Sequence, residues 1–121
     1  MEIGFVGLGK MGGNMVKRLL TLGSHKVVVS DRGAEAVAAS VAAGATGATD
    51  LADLVKKLAA PRTVWVMVPS GGPTQGVIDQ LAALLSPGDL VVDGGNSNFN
   101  DSKRRGAQLK EKGIFFADAG T

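Results

Sequence analysis

The 121 residues of this chain suffice for one domain with a substantial core, and their composition excludes several classes of protein. Hydrophobic residues make up 45% and charged residues 20%, which is typical of a globular protein rather than a disordered one. A net charge of +2 is too small to argue for nucleic acid or membrane binding, and we expect neither partner. The chain has no cysteine, which excludes disulfides, thiolate catalysis and cysteine-ligated metals, and we expect no metal site. Because it begins with a predicted strand, we also expect no signal segment and a cytoplasmic location.

The first 31 residues are typical of a β-α-β unit built around a glycine-rich turn. The apolar run Ile3 to Val6 predicts a buried strand, and apolar residues at helical spacing from Lys10 onward predict a helix that Gly23 ends. A second strand follows from Lys26 to Ser30, and Asp31 lies at its carboxyl end. The turn before the helix has the sequence Gly7-Leu8-Gly9-Lys10-Met11-Gly12.

Each glycine of this turn has a physical role if the unit binds a dinucleotide. Gly7 allows the tight turn, Gly9 lets the backbone approach a pyrophosphate, and Gly12 lets the helix pack closely on the strand. The pyrophosphate would accept hydrogen bonds from free N–H groups at the helix start near Lys10. Asp31 follows Gly12 by 19 positions, the spacing at which a carboxylate reaches the adenosine ribose. Plain strand-to-helix turns are also glycine-rich, but the complete order of elements favours a dinucleotide site.

Helices and strands alternate through the rest of the chain. Helices are predicted at 34–43, at 51–59 after a cap at Asp50, at 74–85, and from a cap at Asn100 or Asp101 to Gly113. Strands are predicted at 45–48, 63–68, 89–93 and 114–117, and we expect Phe115 and Phe116 in the core. Right-handed crossovers then predict an α/β fold, a Rossmann-like doubly wound parallel sheet in the order 3-2-1-4-5-6 with helices on both faces.

Two loops are predicted to lie beside the glycine-rich turn. In such a sheet ligands bind at the carboxyl ends of the strands, where the strand order reverses. This places Val68, Pro69 and Ser70 beside the nicotinamide end of a dinucleotide. The loop at residues 94–98 leaves the sheet on the same side and would project polar groups toward the nicotinamide, although its composition alone favours an ordinary loop.

Three stretches together carry a family pattern that extends over residues 1–121. They are Gly7-Leu8-Gly9-Lys10-Met11-Gly12-Gly13-Asn14-Met15, Met67-Val68-Pro69 and Asp93-Gly94-Gly95-Asn96-Ser97. In these stretches the chain resembles the cofactor domain of decarboxylating 6-phosphogluconate dehydrogenases. The glycine-rich turn alone is shared by many dehydrogenases, whereas the Asp-Gly-Gly-Asn-Ser loop distinguishes this family from the 3-hydroxyisobutyrate type.

The resemblance implies roles for several residues and a reaction. Val68 and Pro69 would line the nicotinamide ribose, and Asn96 would bind both the cofactor and the sugar acid. The implied reaction oxidises the C3 hydroxyl of 6-phosphogluconate by hydride transfer, releases carbon dioxide and protonates the enediol to ribulose 5-phosphate, a step of the pentose phosphate pathway. The resemblance also implies a homo-oligomer for the full-length enzyme and allows a monomer for the isolated domain.

The sequence departs from the family pattern in two ways. Many NADP-dependent members carry Asn-Arg-Thr after the second strand, whereas this chain carries Asp31-Arg32-Gly33. A carboxylate repels a 2′-phosphate and accepts hydrogen bonds from a free 2′-hydroxyl, so we predict a preference for NAD. Arg32 leaves room for NADP, because a guanidinium can stack on adenine or pair with a phosphate. Family members also continue into a helical domain with a lysine base and a glutamate acid, so we expect residues 1–121 to form only the dinucleotide-binding domain, inactive alone and without catalytic residues.

Two other functions are compatible with the sequence. One is the cofactor domain of another β-hydroxyacid dehydrogenase, such as 3-hydroxyisobutyrate dehydrogenase, against which the Gly94-Gly95-Asn96 loop argues. The other is a free-standing NAD-sensing module, which shares the β-α-β fingerprint and needs no catalytic residue. A reading frame with several hundred further helix-rich residues would favour the enzyme, and a stop codon would favour the sensor.

Overall fold

The chain folds around a six-stranded parallel sheet. The computed structural model describes residues 2–8, 10–21, 26–31, 33–59, 61–67, 72–94 and 99–118. The strands are β1 (Glu2–Val6), β2 (Lys26–Ser30), β3 (Thr46–Gly47), β4 (Thr63–Val66), β5 (Leu90–Asp93) and β6 (Phe115–Asp118). The helices are α1 (Lys10–Thr21), α2 (Ala34–Ala42), α3 (Leu51–Lys56), α4 (Gly72–Leu84) and α5 (Phe99–Glu111). The strands pair in the order β3-β2-β1-β4-β5-β6, which confirms the predicted doubly wound sheet.

The sheet separates two hydrophobic layers. On one face α3, α4 and α5 pack against alternate residues of the central strands, and Val28, Val64 and Val91 are fully buried there. On the other face α1 and α2 cover β1 and β2, and Phe5 and Val16 are fully buried there. Because β1 pairs with β2 and with β4, it lies inside the sheet, as its apolar sequence predicts.

Several element boundaries differ from the predicted ones. The helix α3 ends at Lys56 because the N–H of Leu58 donates to the carbonyl of Val55, a tighter turn that directs the Leu58 side chain into the core. The predicted cap at Asp50 is confirmed, since its carboxylate accepts a hydrogen bond of 2.8 Å from the N–H of Asp53. The helices α4 and α5 begin earlier than predicted, so the proposed caps at residues 100 and 101 lie inside α5 instead.

The prediction that Phe115 belongs to the core is wrong. Its side chain is 65% exposed, because β6 is an edge strand and the hydrophobic cluster under α1 and α2 includes no described residue of β5 or β6. Phe116 points to the opposite face and packs against the core there. Two adjacent phenylalanines look alike in sequence, and only the arrangement of the helices separates them. None of the described helices is long and apolar enough to cross a membrane.

A buried ionic cluster joins β4, β5 and α3 at the amino edge of the sheet. Asp89 is 1% exposed, and its carboxylate accepts hydrogen bonds from the N–H of Arg62 at 2.7 Å, the N–H of Ser86 at 2.8 Å and the Arg62 guanidinium at 3.1 Å. The same guanidinium donates to the carbonyl of Val55 at 3.1 Å. Burial alone would raise the pKa of Asp89, but these donors and the positive charge outweigh it, so that the pKa lies below its usual value.

The close approach of β1 and α3 at Gly4 gives a testable consequence for stability. A Cβ added at Gly4 would lie 2.8 Å from a methyl group of Leu54 and 2.8 Å from one of Leu58, and both leucines are buried, so that the core around them would have to shift. We expect Gly4→Ala to lower the free energy of unfolding by about 1–3 kcal/mol in urea denaturation. As a control, Gly76→Ala adds a methyl group on an exposed part of α4 with no atom within 4 Å, and it should stabilise the protein by about 0.5–1 kcal/mol. Equal stabilities of the two variants would contradict this packing.

Candidate cofactor-binding site

The glycine-rich turn lies at the carboxyl edge of the sheet, where β1 gives way to α1. Gly7 adopts a φ of +95°, a left-handed conformation that favours glycine, so the tight turn expected at this position is present. The N–H of Gly7 donates to the carbonyl of Ser30 at 3.0 Å, and the N–H of Leu8 donates to the Asp31 carboxylate at 3.0 Å. The turn after β1 is therefore attached to the end of β2 by two hydrogen bonds.

The start of α1 follows directly after this turn. The helix begins at Lys10, as predicted, so Met11 and Gly12 lie in its first turn. The first N–H groups of an α-helix have no partner within the helix and lie at the positive end of its dipole. The first turn of α1 carries no acidic residue that would oppose an anion. This edge of the sheet therefore has the donors and the electrostatic potential that a diphosphate requires.

Asp31 brings a carboxylate to the same place. It directly follows β2 and is half-buried, and its contact with Leu8 spans 23 positions of sequence. The spacing of the acid from the turn predicted that the two would lie close together, and the structure brings them into direct contact. A carboxylate in this position can accept hydrogen bonds from the hydroxyl groups of a ribose.

The other predicted site residues lie outside the described residues: Gly9, Arg32, Val68, Pro69, Ser70 and Asn96. The ends of the strands that lead to two of these segments are described. The N–H of Met67 donates to the carbonyl of Val6 at 2.7 Å, and the N–H of Gly94 donates to the carbonyl of Val66 at 2.8 Å. Both β4 and β5 therefore end at the same edge of the sheet as the glycine-rich turn.

Sequence reasoning missed the packing of β4 side chains against Gly94, which directly follows β5. Trp65 stacks on Phe5 with ring centroids 6.4 Å apart, and its indole N–H is buried without a hydrogen-bond partner among the described residues. A Cβ added at Gly94 would overlap both the Trp65 indole nitrogen and the Met67 sulfur. Gly94 thus has to be glycine because β4 side chains lie against its backbone. The strand register was needed to pair these residues, and periodicity alone does not supply it.

A cavity of about 240 Å³ lies between α1 and the sheet. It is lined by Ile3, Phe5, Met15, Arg18, Leu19 and Trp65. The single charged side chain and the otherwise apolar lining do not suit a diphosphate, so this cavity is not the candidate site. Within the described part of the chain, no three histidine or acidic side chains come together in a way that would hold a metal ion.

A doubly wound parallel sheet with a left-handed glycine, a helix start and an acid at the switch point defines a dinucleotide-binding domain. The geometry of the described residues fits such a ligand, because the Asp31 carboxylate contacts the turn that precedes the start of α1. Comparison with known families then gives the particular family. The chain belongs to the family described as the NAD binding domain of 6-phosphogluconate dehydrogenase, whose model matches residues 2–121. This result confirms the family that the sequence motifs indicate.

Curated relatives agree with this assignment. The chain is 48% identical over 105 residues to the NAD(+)-dependent, decarboxylating 6-phosphogluconate dehydrogenase of Haloferax volcanii. The aligned region covers 87% of this chain and 35% of that protein. The chain is 37% identical over 126 residues to decarboxylating 6-phosphogluconate dehydrogenase 1 of Saccharomyces cerevisiae, covering 98% of this chain and 25% of that protein. The chain therefore spans only about a quarter to a third of the length of these two relatives.

Solved structures share the fold. The 3-hydroxyisobutyrate dehydrogenase of Mycobacterium tuberculosis has a TM-score of 0.89 and 25% identity, over 98% of this chain and 40% of that one. The 6-phosphogluconate dehydrogenase of Plasmodium falciparum has a TM-score of 0.87 and 26% identity, over 96% of this chain and 26% of that one. The Plasmodium enzyme was solved with its cofactor NADP+ and with its substrate 6-phosphogluconate. These similarities confirm the predicted Rossmann-type fold.

Proposed function

We propose that this chain is the cofactor domain of a decarboxylating 6-phosphogluconate dehydrogenase and that it binds NAD over the glycine-rich turn. The proposal depends above all on the hydrogen bond from the Leu8 N–H to Asp31. This contact places Asp31, the acid that follows β2, beside the turn that leads into α1. One edge of the sheet can therefore bind both the diphosphate and the adenosine ribose of a dinucleotide.

The proposal assigns a role to each part of the site. Backbone N–H groups of Gly9 and the first turn of α1, formed by Lys10, Met11 and Gly12, surround the diphosphate. Gly7, whose N–H is bonded to the Ser30 carbonyl, allows the tight turn. Leu8 contributes by shaping the turn, since its N–H is already bonded to Asp31. Asp31 accepts hydrogen bonds from the ribose, and Arg32 lies beside the adenosine. Val68 and Pro69 line the nicotinamide ribose, Ser70 lies beside the nicotinamide end, and Asn96 contacts both the cofactor and the sugar acid.

The proposed reaction of the full-length enzyme is the oxidative decarboxylation of 6-phosphogluconate to ribulose 5-phosphate and carbon dioxide. The bound nicotinamide supplies the hydride acceptor, while residues of this chain bind and orient the cofactor. We assign no general acid or base to residues 1–121 and propose that these groups, and most substrate contacts, belong to a further helical domain of a longer enzyme. We propose a homo-oligomer for that enzyme and a cytoplasmic location, with which the cysteine-free sequence is compatible.

The carboxylate of Asp31 gives an expected cofactor preference. We expect the wild-type chain to bind NAD at least about tenfold more tightly than NADP. The negative charge of the Asp31 carboxylate would repel the 2′-phosphate of NADP. Asp31→Asn removes the charge and should bring the ratio of the NADP Kd to the NAD Kd closer to one. Isothermal titration calorimetry measures both Kd values. Asp79→Asn, which changes an exposed carboxylate that accepts a hydrogen bond from Gln108, should leave the ratio unchanged. If the wild-type chain bound NADP as tightly as NAD, the role assigned to Asp31 would be wrong.

A second candidate is 3-hydroxyisobutyrate dehydrogenase, because a structure of that enzyme matches the fold with a TM-score of 0.89. Its 25% identity to this chain is lower than the 48% and 37% of the two 6-phosphogluconate dehydrogenases. Cofactor binding does not separate the two functions, since both need this domain. An assay of the full-length gene product with each substrate does. NAD reduction with 6-phosphogluconate alone supports the first function, reduction with 3-hydroxyisobutyrate alone supports the second, and reduction with neither favours an NAD-sensing module.

A further inference from the structure

We propose that Asp31 has a second role, in which its carboxylate holds the glycine-rich turn in the shape that the diphosphate requires. Its importance for cofactor binding rests on the proposed function, but the contact itself is formed by the protein alone. In this role Asp31 is a positioning residue, in addition to its proposed contact with the ribose.

The evidence is the way in which the hydrogen bonds between β1 and β2 continue beyond both strands. Val6 lies opposite Ser30 in the parallel register, and the N–H of Gly7 donates to the Ser30 carbonyl at 3.0 Å. The next donor along the chain, the N–H of Leu8, donates to an oxygen of the Asp31 side chain at 3.0 Å instead of to a backbone carbonyl. A side-chain carboxylate at the end of β2 therefore supplies the acceptor for the donor that follows Gly7.

The conformation of Gly7 explains why a side chain is suited to this position. A φ of +95° turns the chain out of the extended strand, so that the N–H of Leu8 points in a new direction. The Asp31 carboxylate extends beyond its own backbone and meets this redirected donor. Leu8 is 7% exposed, so a backbone N–H left without an acceptor here would be costly. A hydrogen bond to a charged acceptor is also stronger than one between neutral groups.

The turn that Asp31 holds leads into α1. The helix begins at Lys10, two positions after Leu8, and its free N–H groups are the proposed donors to the diphosphate. Asp31 accepts the bond from Leu8 through Oδ2. A carboxylate can accept about four hydrogen bonds, so the contact with Leu8 and a contact with a ribose are compatible.

It follows that the charge of Asp31 and its acceptor oxygen have separable effects. Asp31→Asn removes the charge that opposes a 2′-phosphate but keeps an oxygen for the Leu8 N–H. Asp31→Ala removes both. Both variants lack the charge, but only Asp31→Asn retains the acceptor that keeps the turn in shape. It should therefore bind NADP more tightly than Asp31→Ala does.

The direct test measures the Leu8 N–H by NMR in the 121-residue chain without cofactor. In the wild type we expect a scalar coupling across the hydrogen bond between the Leu8 nitrogen and the Asp31 carboxyl carbon, a measurement that needs no variant. We expect Asp31→Ala to accelerate hydrogen exchange at Leu8 by about tenfold or more, and Asp31→Asn to restore most of the protection. Asp79→Ala, which removes an exposed carboxylate bonded to Gln108, should leave exchange at Leu8 at its wild-type rate. Absence of the coupling, or equal exchange in the wild type and Asp31→Ala, would overturn the positioning role.

Binding measurements then connect this role to the cofactor. We expect Asp31→Asn to bind NADP about tenfold more tightly than Asp31→Ala, and equal affinities would overturn the connection between the turn and the cofactor. The two proposals fail in different ways. If Leu8 responds as expected but no form of the chain binds NAD or NADP, the positioning role stands and the proposed function fails. If NAD binds while hydrogen exchange at Leu8 is the same with and without the Asp31 carboxylate, the proposed function stands and the positioning role fails.

Discussion

Replacement of Gly7 by alanine should weaken NAD binding by roughly ten- to a hundredfold. Gly7 has a φ of +95°, a conformation that costs an L-residue about 1–2 kcal/mol. Relief of this strain would shift Leu8 and the start of α1, and a bound diphosphate would lose one or more hydrogen bonds from backbone N–H groups. Isothermal titration calorimetry of Gly7→Ala with NAD measures the loss directly.

Gly88 provides a matched control for this substitution. It has a φ of +97°, nearly the same as that of Gly7, and no atom lies within 4 Å of an added Cβ. It lies in the turn between α4 and β5, at the amino edge of the sheet and therefore opposite the proposed site. Gly88→Ala should lower the free energy of unfolding about as much as Gly7→Ala does, and bind NAD as the wild type does. Similar NAD affinity in the two variants would contradict the assignment of the turn.

The largest effect on stability is expected at Asp89. Asp89→Ala leaves the Arg62 guanidinium without its carboxylate and removes the acceptor for the N–H groups of Arg62 and Ser86, all in a part-buried setting. We expect a loss of about 3–5 kcal/mol in the free energy of unfolding, measured by urea denaturation. Asp79→Ala removes an exposed carboxylate from α4 and should cost about 1 kcal/mol or less. Losses of similar size in the two variants would show that the cluster does not stabilise the fold.

The same carboxyl group makes the stability depend on pH. The pKa of Asp89 in the folded protein lies below its ordinary value of 3.8, which we take for the unfolded chain. The folded state therefore binds fewer protons than the unfolded state in this range, and stability falls as the pH falls. The contribution of Asp89 is fully present above pH 3.8 and is lost as the pH falls through the lowered pKa. The difference in stability between the wild type and Asp89→Ala should narrow on acidification, and a constant or widening difference would contradict this linkage.

The fold could be predicted from the sequence because its signals are local and consistent. Apolar runs identified the strands, helical spacing identified α1, and the handedness of crossovers left a single strand order, which the structure confirms. The errors concern positions where tertiary contacts determine the end of a helix or the exposure of a side chain. The end of α3 depends on where Leu58 enters the core, and the exposure of Phe115 depends on which half of the sheet the helices cover.

The candidate site could be predicted only in part. The number of residues between Gly12 and Asp31 placed the acid near the turn, because a helix and a strand of ordinary length return the chain to the same edge. The bond between Asp31 and the Leu8 N–H depends on the direction of a single backbone donor, and no pattern of residue types encodes that direction. The close packing of Gly94 on Trp65 depends in the same way on the register of β4 and β5.

Mapping of NAD binding by NMR tests most directly whether the carboxyl edge of the sheet holds the cofactor. During a titration of the 121-residue chain with NAD, we expect saturable shifts of the backbone N–H signals of Gly7, Leu8, Asp31 and the first turn of α1. The signals of Gly88 and Asp89, at the opposite edge of the sheet, should stay in place. Shifts confined to residues away from the glycine-rich turn, or no saturable binding of either NAD or NADP at millimolar concentration, would contradict the proposed site.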